Sequence, residues 1–267
     1  MQPTHGDYDI TETEGYTILR NCIHAINRMS KTRQADALAE LLMNGHEGTS
    51  GYLGFGNHKV ANNTAILNMN SATDCPNADS DKENPTKTGV CQVPWEACYA
   101  HKAENMYPDT LKKRRLQEFL WDSFGAGLWA AAILRVQERM RSEFTYLRIS
   151  ESGDFRHNGD ITKWDTIAGI ISPDIKAYTY SASHRLDAWN SVENLTVNQS
   201  NDLADYGDRL FSAVETVEDI PDDAIFCPFE AAAKNGIPAE ERPKCGECTA
   251  CIEPESEQPR DVYITIH

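Results

Sequence analysis

The chain has 267 residues, enough for one large α/β domain or two small ones with a core that needs no disulfide support. It carries 25 Lys and Arg against 41 Asp and Glu, a formal net charge of −16, which ordinarily disfavours a nucleic-acid partner. No segment has the length of an apolar membrane span, and the first residues lack the pattern of a signal peptide. We therefore expect a soluble, cytoplasmic protein in a reducing compartment, where clustered cysteines bind metal more often than they pair.

The acidic residues are spread along the chain and do not form one tail, as NDLADYGDRL and ETVEDIPDDA illustrate. This distribution is typical of halophilic proteins. At molar salt the Debye length is only about 3 Å, so the net charge would scarcely repel DNA there. The alternative is an ordinary acidic protein of the cytosol.

The first half of the chain predicts helices around one buried strand. Apolar residues at three- and four-residue spacing predict two helices within residues 16–44, and Asn44-Gly45 is a natural helix end. Three further segments follow: a buried strand in 63–72, a cysteine-bearing loop in 74–98, and a helical region in 109–142 that Gly125 and Gly127 interrupt.

From residue 144 onward strands and helical patterns alternate, which is the arrangement of parallel βαβ units. We expect strands within FTYLRIS, IKAYTYS, NLTVNQS, RLFSAVE and AIFCPF, and a last one near VYITIH. This predicts an α/β fold, a TIM-like (β/α) barrel that is partial or compact, and no Gly-rich dinucleotide or Walker loop is present. We divide the chain into an N-terminal helical segment, 1–58, and a barrel-like catalytic domain, 59–267, which includes a cysteine-rich metal site at 227–251.

Polar residues follow several predicted strands, where barrels of this type carry their chemistry. The turn Ser152-Gly153-Asp154 comes directly after one strand, with Glu151 before it. Two carboxylates are therefore available as nucleophile and general base, or as general base and substrate-orienting group. The alternative makes Asp154 the N-cap of the next helix. Later strand ends carry Arg185, Ser200 and Asp202.

The C-terminal cysteines are the strongest metal signal. Cys245, Cys248 and Cys251 are separated by two residues each, and Cys227, at a predicted strand end, is the natural fourth ligand. Four sulfurs predict a closed structural Zn²⁺ site. A [4Fe–4S] cluster uses similar ligands and is the main competitor, and free thiols or disulfides are the third interpretation.

The upstream cysteines, Cys75, Cys91 and Cys98, are more loosely spaced. As three thiolates they would leave one iron of a cluster open, as in radical enzymes that use S-adenosylmethionine, whose cluster loop also follows the first barrel strand. The characteristic spacing of three and two intervening residues is absent here. With His101 they would instead form a second Zn²⁺ site, or they are ordinary loop cysteines.

Several motifs together resemble a known family. They are CPNADSDKENPTKTGVCQVPWEACYA, YLRISESGDF, PDIKAYTYSAS, NLTVNQSND and CGECTAC. The chain from about residue 60 onward resembles the gene product 88 family of tailed-phage and haloarchaeal-virus proteins. That family is similar in outline to the tRNA-guanine transglycosylases, which have a (β/α) barrel, a cysteine-rich structural zinc site and aspartates at the barrel mouth.

The resemblance implies a DNA-modifying transglycosylase, active in the host cytoplasm, that exchanges guanine in viral DNA, or in RNA, for a 7-deazaguanine such as preQ0 or preQ1. The target base would leave the stack to enter the barrel mouth. The implied catalytic residues are Asp154, Glu151 and Asp202, and the implied substrate-binding residues are Ser152, Gly153, Phe155, Asn198, Ser200 and Arg185. Arg148 and Arg156 would join Arg185 in meeting phosphates.

The chain departs from the transglycosylase pattern in its turn, SGDF instead of SGGF, and in its four-cysteine set, which replaces three cysteines and a histidine. Two other functions therefore stay open: a radical S-adenosylmethionine enzyme with an iron–sulfur cluster, and a non-catalytic, zinc-stabilised viral interaction protein.

Overall fold

The fold is described for residues 10–78, 90–91, 93, 95–140, 144–200, 205–253 and 261–265 of a computed structural model. Within these ranges the chain forms a mixed α/β arrangement of seven α-helices and eight strands. The helices are α1 Glu14–Asn27, α2 Lys31–Asn44, α3 Tyr99–Met106, α4 Pro108–Ser123, α5 Ala126–Arg139, α6 Asn158–Ile171 and α7 Pro228–Lys234. The strands are β1 Gly54–Phe55, β2 Thr64–Leu67, β3 Tyr146–Ile149, β4 Lys176–Ser181, β5 Thr196–Gln199, β6 Arg209–Val214, β7 Ile225–Phe226 and β8 Val262–Thr265.

The strands form one sheet in the order β1-β2-β3-β4-β5-β6-β8-β7. β1 runs antiparallel to β2, and every other neighbouring pair in the described sheet is parallel. β2 to β6 therefore follow each other in space as they do in sequence. Helices connect β2 to β3 and β3 to β4. The α/β class is confirmed. A TIM barrel is not, because the strand order of the described residues has β1 and β7 at its two ends.

The predicted helices and strands lie close to the observed ones. Residues 16–44 contain α1 and α2, and α2 ends at Gly45, whose φ of 70° is a left-handed conformation that suits glycine. The helical region 109–142 is α4 and α5, which are separated by Phe124 and Gly125. The short helices α3 and α7 were not predicted.

The two faces of the central strands differ in chemistry. One face carries Leu147, Ile149, Ala177 and Val197, which join the apolar core beneath the helices. That core also contains residues of α1, α2, α5 and α6. The opposite face, here called the polar face, carries Arg148, Tyr178, Tyr180, Asn198 and Arg209.

The register shows that the polar-face side chains are neighbours. Arg148 pairs with Tyr178 across β3 and β4, Tyr180 with Asn198 across β4 and β5, and Asn198 with Arg209 across β5 and β6. Strand partners point to the same side of a sheet, as do residues two apart along a strand. The polar face is thus continuous over four strands.

The segment 244–253, here called the cysteine segment, lies across the polar face. Thr196 Oγ1 donates to Ile252 O at 2.9 Å, and Asn198 Nδ2 donates to Cys251 O at 2.9 Å. The Arg209 guanidinium donates to the carbonyls of Ala250 and Glu253. Polar side chains of the sheet therefore satisfy backbone groups of a segment that has little regular structure.

Among the helices in the described ranges, none combines the length and the apolar character that crossing a membrane requires.

Candidate functional site

The turn after β3 closes tightly against the loop after β2. Gly153 has φ of 73°, and a Cβ atom there would lie 1.6 Å from Asn70 Oδ1. Ser152 N donates to Asn68 Oδ1 at 3.0 Å, and Asn70 Nδ2 donates to Asp154 O at 2.9 Å. Only glycine fits this position, because it adds no side chain and tolerates positive φ.

Asp154 lies at the centre of the turn, and only 5% of its surface is exposed. Its Oδ1 accepts hydrogen bonds from Ser181 Oγ and Phe155 N, both at 2.7 Å. Its Oδ2 accepts from Ala182 N at 2.7 Å and Asn77 Nδ2 at 2.8 Å. Burial raises the pKa of Asp154, while these donors act to lower it. The carboxylate thereby ties the end of β3 to the end of β4 and to the loop after β2.

Asp154 does not cap the following helix. The N-cap of α6 is His157, whose Nδ1 accepts from Asp160 N at 3.2 Å. The interpretation of Asp154 as a helix cap was therefore wrong.

The upstream thiols lie beside Asp154 and beside each other. Burial raises the pKa of Cys75 well above its ordinary value, and the charges of Asp154, Cys91 and Cys98 raise it further. The pKa of Cys91 is raised to about 11 by burial and also by the charges of Asp154 and Cys98. Charge effects of this kind extend over several ångströms, so they place these groups in one region of the fold. The three cysteines thus lie in one region at the carboxyl end of β2, although Cys75 and Cys91 are 16 residues apart in sequence and Cys91 and Cys98 are 7 apart.

Backbone contacts hold these cysteines in place. Cys75 N donates to Ala72 O at 3.1 Å, and Cys91 N donates to Asn77 O at 2.9 Å. Cys98 is the N-cap residue of α3. Two of the three thiols therefore sit on hydrogen-bonded loop backbone and the third on the first turn of a helix.

Glu104 on α3 is a fully buried residue of this site that the sequence analysis missed. Its carboxylate accepts from Ala72 N at 2.8 Å, Thr73 N at 2.9 Å, Thr73 Oγ1 at 2.8 Å and Ser152 Oγ at 3.1 Å. Arg114 of α4 donates to it at 2.7 Å. Glu104 joins the Cys75 loop to the turn after β3. A lone glutamate on a short helix gives no sequence signal for this role.

Glu151 occupies a different environment from Asp154. Asn57 Nδ2 donates to its carboxylate at 2.7 Å, and Arg148 NH1 lies 3.8 Å away. The Tyr99 hydroxyl donates to Glu151 O. Glu151 therefore lies where the carboxyl edge of the sheet meets the polar face, and it is the more accessible of the two carboxylates.

The remaining predicted residues are dispersed. Ser200 N donates to Ser181 O at 2.7 Å, which places Ser200 beside the Asp154 contacts. Asn198 belongs to the polar face. Phe155 is buried in the core against Trp189, with ring centroids 4.9 Å apart. Arg185 is exposed in the loop after β4. Asp202 lies outside the described residues.

Arg156 is engaged on the helical side of the sheet. Its guanidinium forms ion pairs with Glu118 at 2.9 Å, Asp122 at 2.6 Å and Asp160 at 3.0 Å. Acidic partners already surround it, and a contact of Arg156 with phosphates stays a prediction.

The C-terminal cysteines also come together. Burial raises the pKa of Cys245, and the charges of Cys227 and Cys248 raise it further. Burial raises the pKa of Cys251 to about 12, with added effects of Cys245 and Cys227. Cys227 follows β7, and its N–H donates to Tyr263 O at 2.8 Å. The fold thus brings Cys227 to the cysteine segment, as a four-sulfur site requires.

Among the residues that the structure describes, no three His, Cys, Asp or Glu side chains are grouped as the ligands of one metal ion. A zinc ion holds its sulfurs at about 2.3 Å, so it needs thiols in mutual contact. An iron–sulfur cluster holds its thiolates farther apart, because irons and sulfides lie between them. Both cysteine sets fit the donor chemistry of such a cluster. The Zn²⁺ and [4Fe–4S] assignments stay predictions.

Comparison with known proteins places the chain in a family. No match was found among curated proteins, and none among solved structures. The family model described as gene product 88 matches residues 29–254, which include both cysteine sets and the turn after β3. The chain belongs to the gene product 88 family.

Proposed function

We propose that this protein is an iron–sulfur enzyme that uses S-adenosylmethionine, with Cys75, Cys91 and Cys98 as the ligands of a [4Fe–4S] cluster. The observation that carries the proposal is the convergence of these half-buried thiols at the carboxyl end of β2, where the backbone N–H groups of Cys75 and Cys91 donate to Ala72 O and Asn77 O and Cys98 is the N-cap of α3. They follow β2, the first parallel strand of the sheet. Wide spacing in sequence does not weaken the proposal, because proximity in space is what a cluster needs.

The donor set explains why a cosubstrate would bind here. Three cysteine ligands leave one iron of a four-iron cluster without a protein ligand, and a bound cluster would supply that open position and one electron. S-Adenosylmethionine carries a sulfonium and an ammonium group. The negative charge of Asp154, already strong enough to raise the pKa of Cys75 and Cys91, would stabilise those cations.

The residues around Asp154 give the site its shape. Ser181, Ala182 and Asn77 hold the carboxylate in one position, and Gly153 lets the chain turn beneath it. Glu104 anchors the Cys75 loop to the same turn. These contacts hold the Asp154 carboxylate and the Cys75 loop in place before any ligand arrives, which lowers the cost of binding.

The test is metal and sulfide analysis of protein purified without oxygen. We expect brown protein that contains about four irons and four sulfides per cluster. Replacing Cys75, Cys91 and Cys98 together by Ala should remove one cluster's iron. Cys22→Ala, a change in α1 remote from both cysteine sets, serves as the matched control and should retain it. Colourless protein that contains zinc alone would refute the proposal.

Guanine exchange is the second candidate, and the observation that favours it is the presence of two carboxylates, Glu151 and Asp154, on one turn at the carboxyl edge. Both oxygens of Asp154 already accept hydrogen bonds, so it is poorly prepared to attack a sugar carbon. Glu151 is the better candidate for that step. Incorporation of labelled guanine into DNA by the wild type, abolished in Glu151→Gln, would support exchange. No incorporation would reject it.

A further inference from the structure

Several buried donors on the polar face lack a hydrogen-bond partner. Arg148 Nε, Arg209 Nε and the Tyr178 hydroxyl have none among the described residues. Asn198 Oδ1 is also unpartnered, but it is an acceptor and cannot donate. A buried N–H or O–H group without an acceptor costs free energy, so three on one surface need an explanation.

The cysteine segment lies across these donors, so its own atoms are their neighbours. Its backbone is fixed near both ends. Cys245 N donates to Lys59 O at 2.9 Å, and Ala61 N donates to Cys245 O at 2.8 Å. Asn198 Nδ2 donates to Cys251 O at 2.9 Å. Cys245 and Cys251 are therefore held against the polar face by contacts that leave their sulfurs free to accept.

The unpartnered donors lie in the same region as these two sulfurs. Burial raises the pKa of Tyr178, and the charges of Cys245 and Cys251 act to raise it further. Burial raises the pKa of Cys245, whereas the charge of Arg148 acts to lower it. Burial likewise raises the pKa of Cys251, against a hydrogen bond from the Tyr180 hydroxyl. One guanidinium and two hydroxyl groups of the sheet thus adjoin the thiols.

Arg148 has no carboxylate at hydrogen-bond distance in the described ranges. The nearest one, Glu151, lies 3.8 Å away, and Asn57 already donates to it at 2.7 Å. The Arg148 guanidinium lies over the Tyr180 ring, 5.2 Å from its centre, which keeps it on the polar face. A guanidinium is always charged and favours an anionic acceptor. Thiolate sulfur in the cysteine segment would be such an acceptor.

The four C-terminal cysteines become anionic when they bind a metal, because ligation deprotonates thiols. Four thiolates carry more negative charge than one zinc ion or one oxidised [4Fe–4S] cluster neutralises. Hydrogen bonds from groups outside the ligand set stabilise such sulfurs. A centre of this kind would give the donors of the polar face the acceptors that they lack.

We propose that Arg148, Tyr178 and Tyr180 donate to the cysteine sulfurs of an anionic metal centre formed by the four C-terminal cysteines. Arg148 supplies positive charge, and the two tyrosines supply O–H donors to Cys245 and Cys251. A zinc centre and an iron–sulfur cluster share this chemistry, and metal analysis distinguishes them. The centre is independent of the cluster proposed at the upstream cysteines.

The experiment measures how tightly the metal-free full chain binds Zn²⁺ without oxygen, in competition with a chromophoric chelator. Tyr178→Phe should weaken binding on the order of tenfold, and Arg148→Gln on the order of tenfold to a hundredfold, as is typical for groups that support metal ligands. Tyr52→Phe is the matched control, because its hydroxyl is also buried and unpartnered but lies in the apolar core. It should leave the affinity unchanged.

The stability of the metal-free protein separates a donor from a residue that only packs the sheet. Tyr178→Phe removes an unpartnered hydroxyl, so the metal-free variant should be at least as stable as wild type in chemical denaturation. Its metal affinity should nevertheless fall. A variant that loses stability and affinity together would overturn the donor role of Tyr178.

Cysteine variants assign the metal to its ligands. Cys248→Ala should lose the metal of this centre, whereas Cys75, Cys91 and Cys98→Ala should retain it. Retention in protein that lacks the upstream cysteines would uphold this centre even where the enzyme proposal fails. Zinc without iron identifies a zinc centre, and iron with sulfide identifies a cluster.

If the centre is a cluster, its reduction potential should fall in Arg148→Gln, because a positive charge favours the more negative, reduced form. Three results would overturn the proposal: wild-type metal affinity in both Arg148→Gln and Tyr178→Phe, an equal loss of affinity in Tyr52→Phe, or a metal content that Cys248→Ala leaves unchanged.

Discussion

The turn after β3 can close because Gly153 has no side chain. Gly153→Ala should destabilise the protein by about 2 to 4 kcal/mol, because the added Cβ would overlap Asn70 Oδ1 and strain a positive φ. Chemical denaturation measures the change. Gly127→Ala is the control: nothing lies within 4 Å of a Cβ there, and alanine favours the α5 helix by about 0.5 to 1 kcal/mol. Equal effects at both glycines would contradict the turn's role.

The carboxylate of Asp160 makes the free energy of unfolding depend on pH. Burial acts to raise the pKa of Asp160, but hydrogen bonds from Arg156 and Trp121 outweigh it and the net pKa is lowered. A lowered folded-state pKa stabilises the fold above the unfolded-state pKa of about 4, and that stability is lost as pH falls through the folded-state pKa. Asp160→Asn should cost about 1 to 3 kcal/mol near pH 7, because it weakens charged hydrogen bonds while Glu118 and Asp122 still pair with Arg156.

The measurement is the unfolding free energy of wild type and Asp160→Asn across pH. The gap between them should stay constant above about pH 5 and narrow below about pH 4. A gap that widens on acidification would show that the carboxylate is not the stabilising form.

At the scale of single elements, α3 is the support of the upstream thiols. Glu104→Gln should cost about 3 to 5 kcal/mol, since it breaks the buried ion pair with Arg114 and turns a donor toward the backbone N–H groups of Ala72 and Thr73. Iron content should fall with stability, because the Cys75 loop loses its anchor. Glu138→Gln, in an exposed ion pair on α5, should change neither quantity.

Sequence patterns predict strands and helices better than they predict contacts between loops. The strand that contains Leu147 and Ile149 has apolar residues at alternate positions, so its core face could be predicted. The burial of Glu104 could not, because its partners are backbone N–H groups of a loop. The convergence of Cys75 and Cys91 depends on the path of that loop, which no spacing rule covers.

The polar face could not be predicted from the sequence either. Arg148, Tyr178 and Asn198 each occur within a predicted strand, but their proximity follows from parallel register, and register is a property of the whole sheet. The sequence did predict the edge of the sheet at which Ser152, Gly153 and Asp154 lie, because a turn that follows a parallel strand lies at the carboxyl edge of the sheet.

At the scale of the whole molecule, the net charge of −16 predicts a response to salt. Like charges repel in the compact state, and raising NaCl from about 0.1 M to about 2 M shortens the screening length from about 10 Å to below about 3 Å. The thermal midpoint should rise by about 5 °C or more, a change of roughly 1 to 2 kcal/mol. An equal rise in sucrose at matched osmolality would attribute the effect to solvent exclusion, and no rise would reject the halophilic interpretation.

β8 pairs with β6 on one side and β7 on the other, although it follows both in the chain. A sheet in which β8 is not yet in place would have a gap between β6 and β7, with an open strand edge on each side. The cysteine segment precedes β8 in the chain. The pairing of β8 with its two neighbours and the proposed metal site therefore depend on adjacent parts of the chain, and metal binding at the cysteine segment would accompany completion of this part of the sheet.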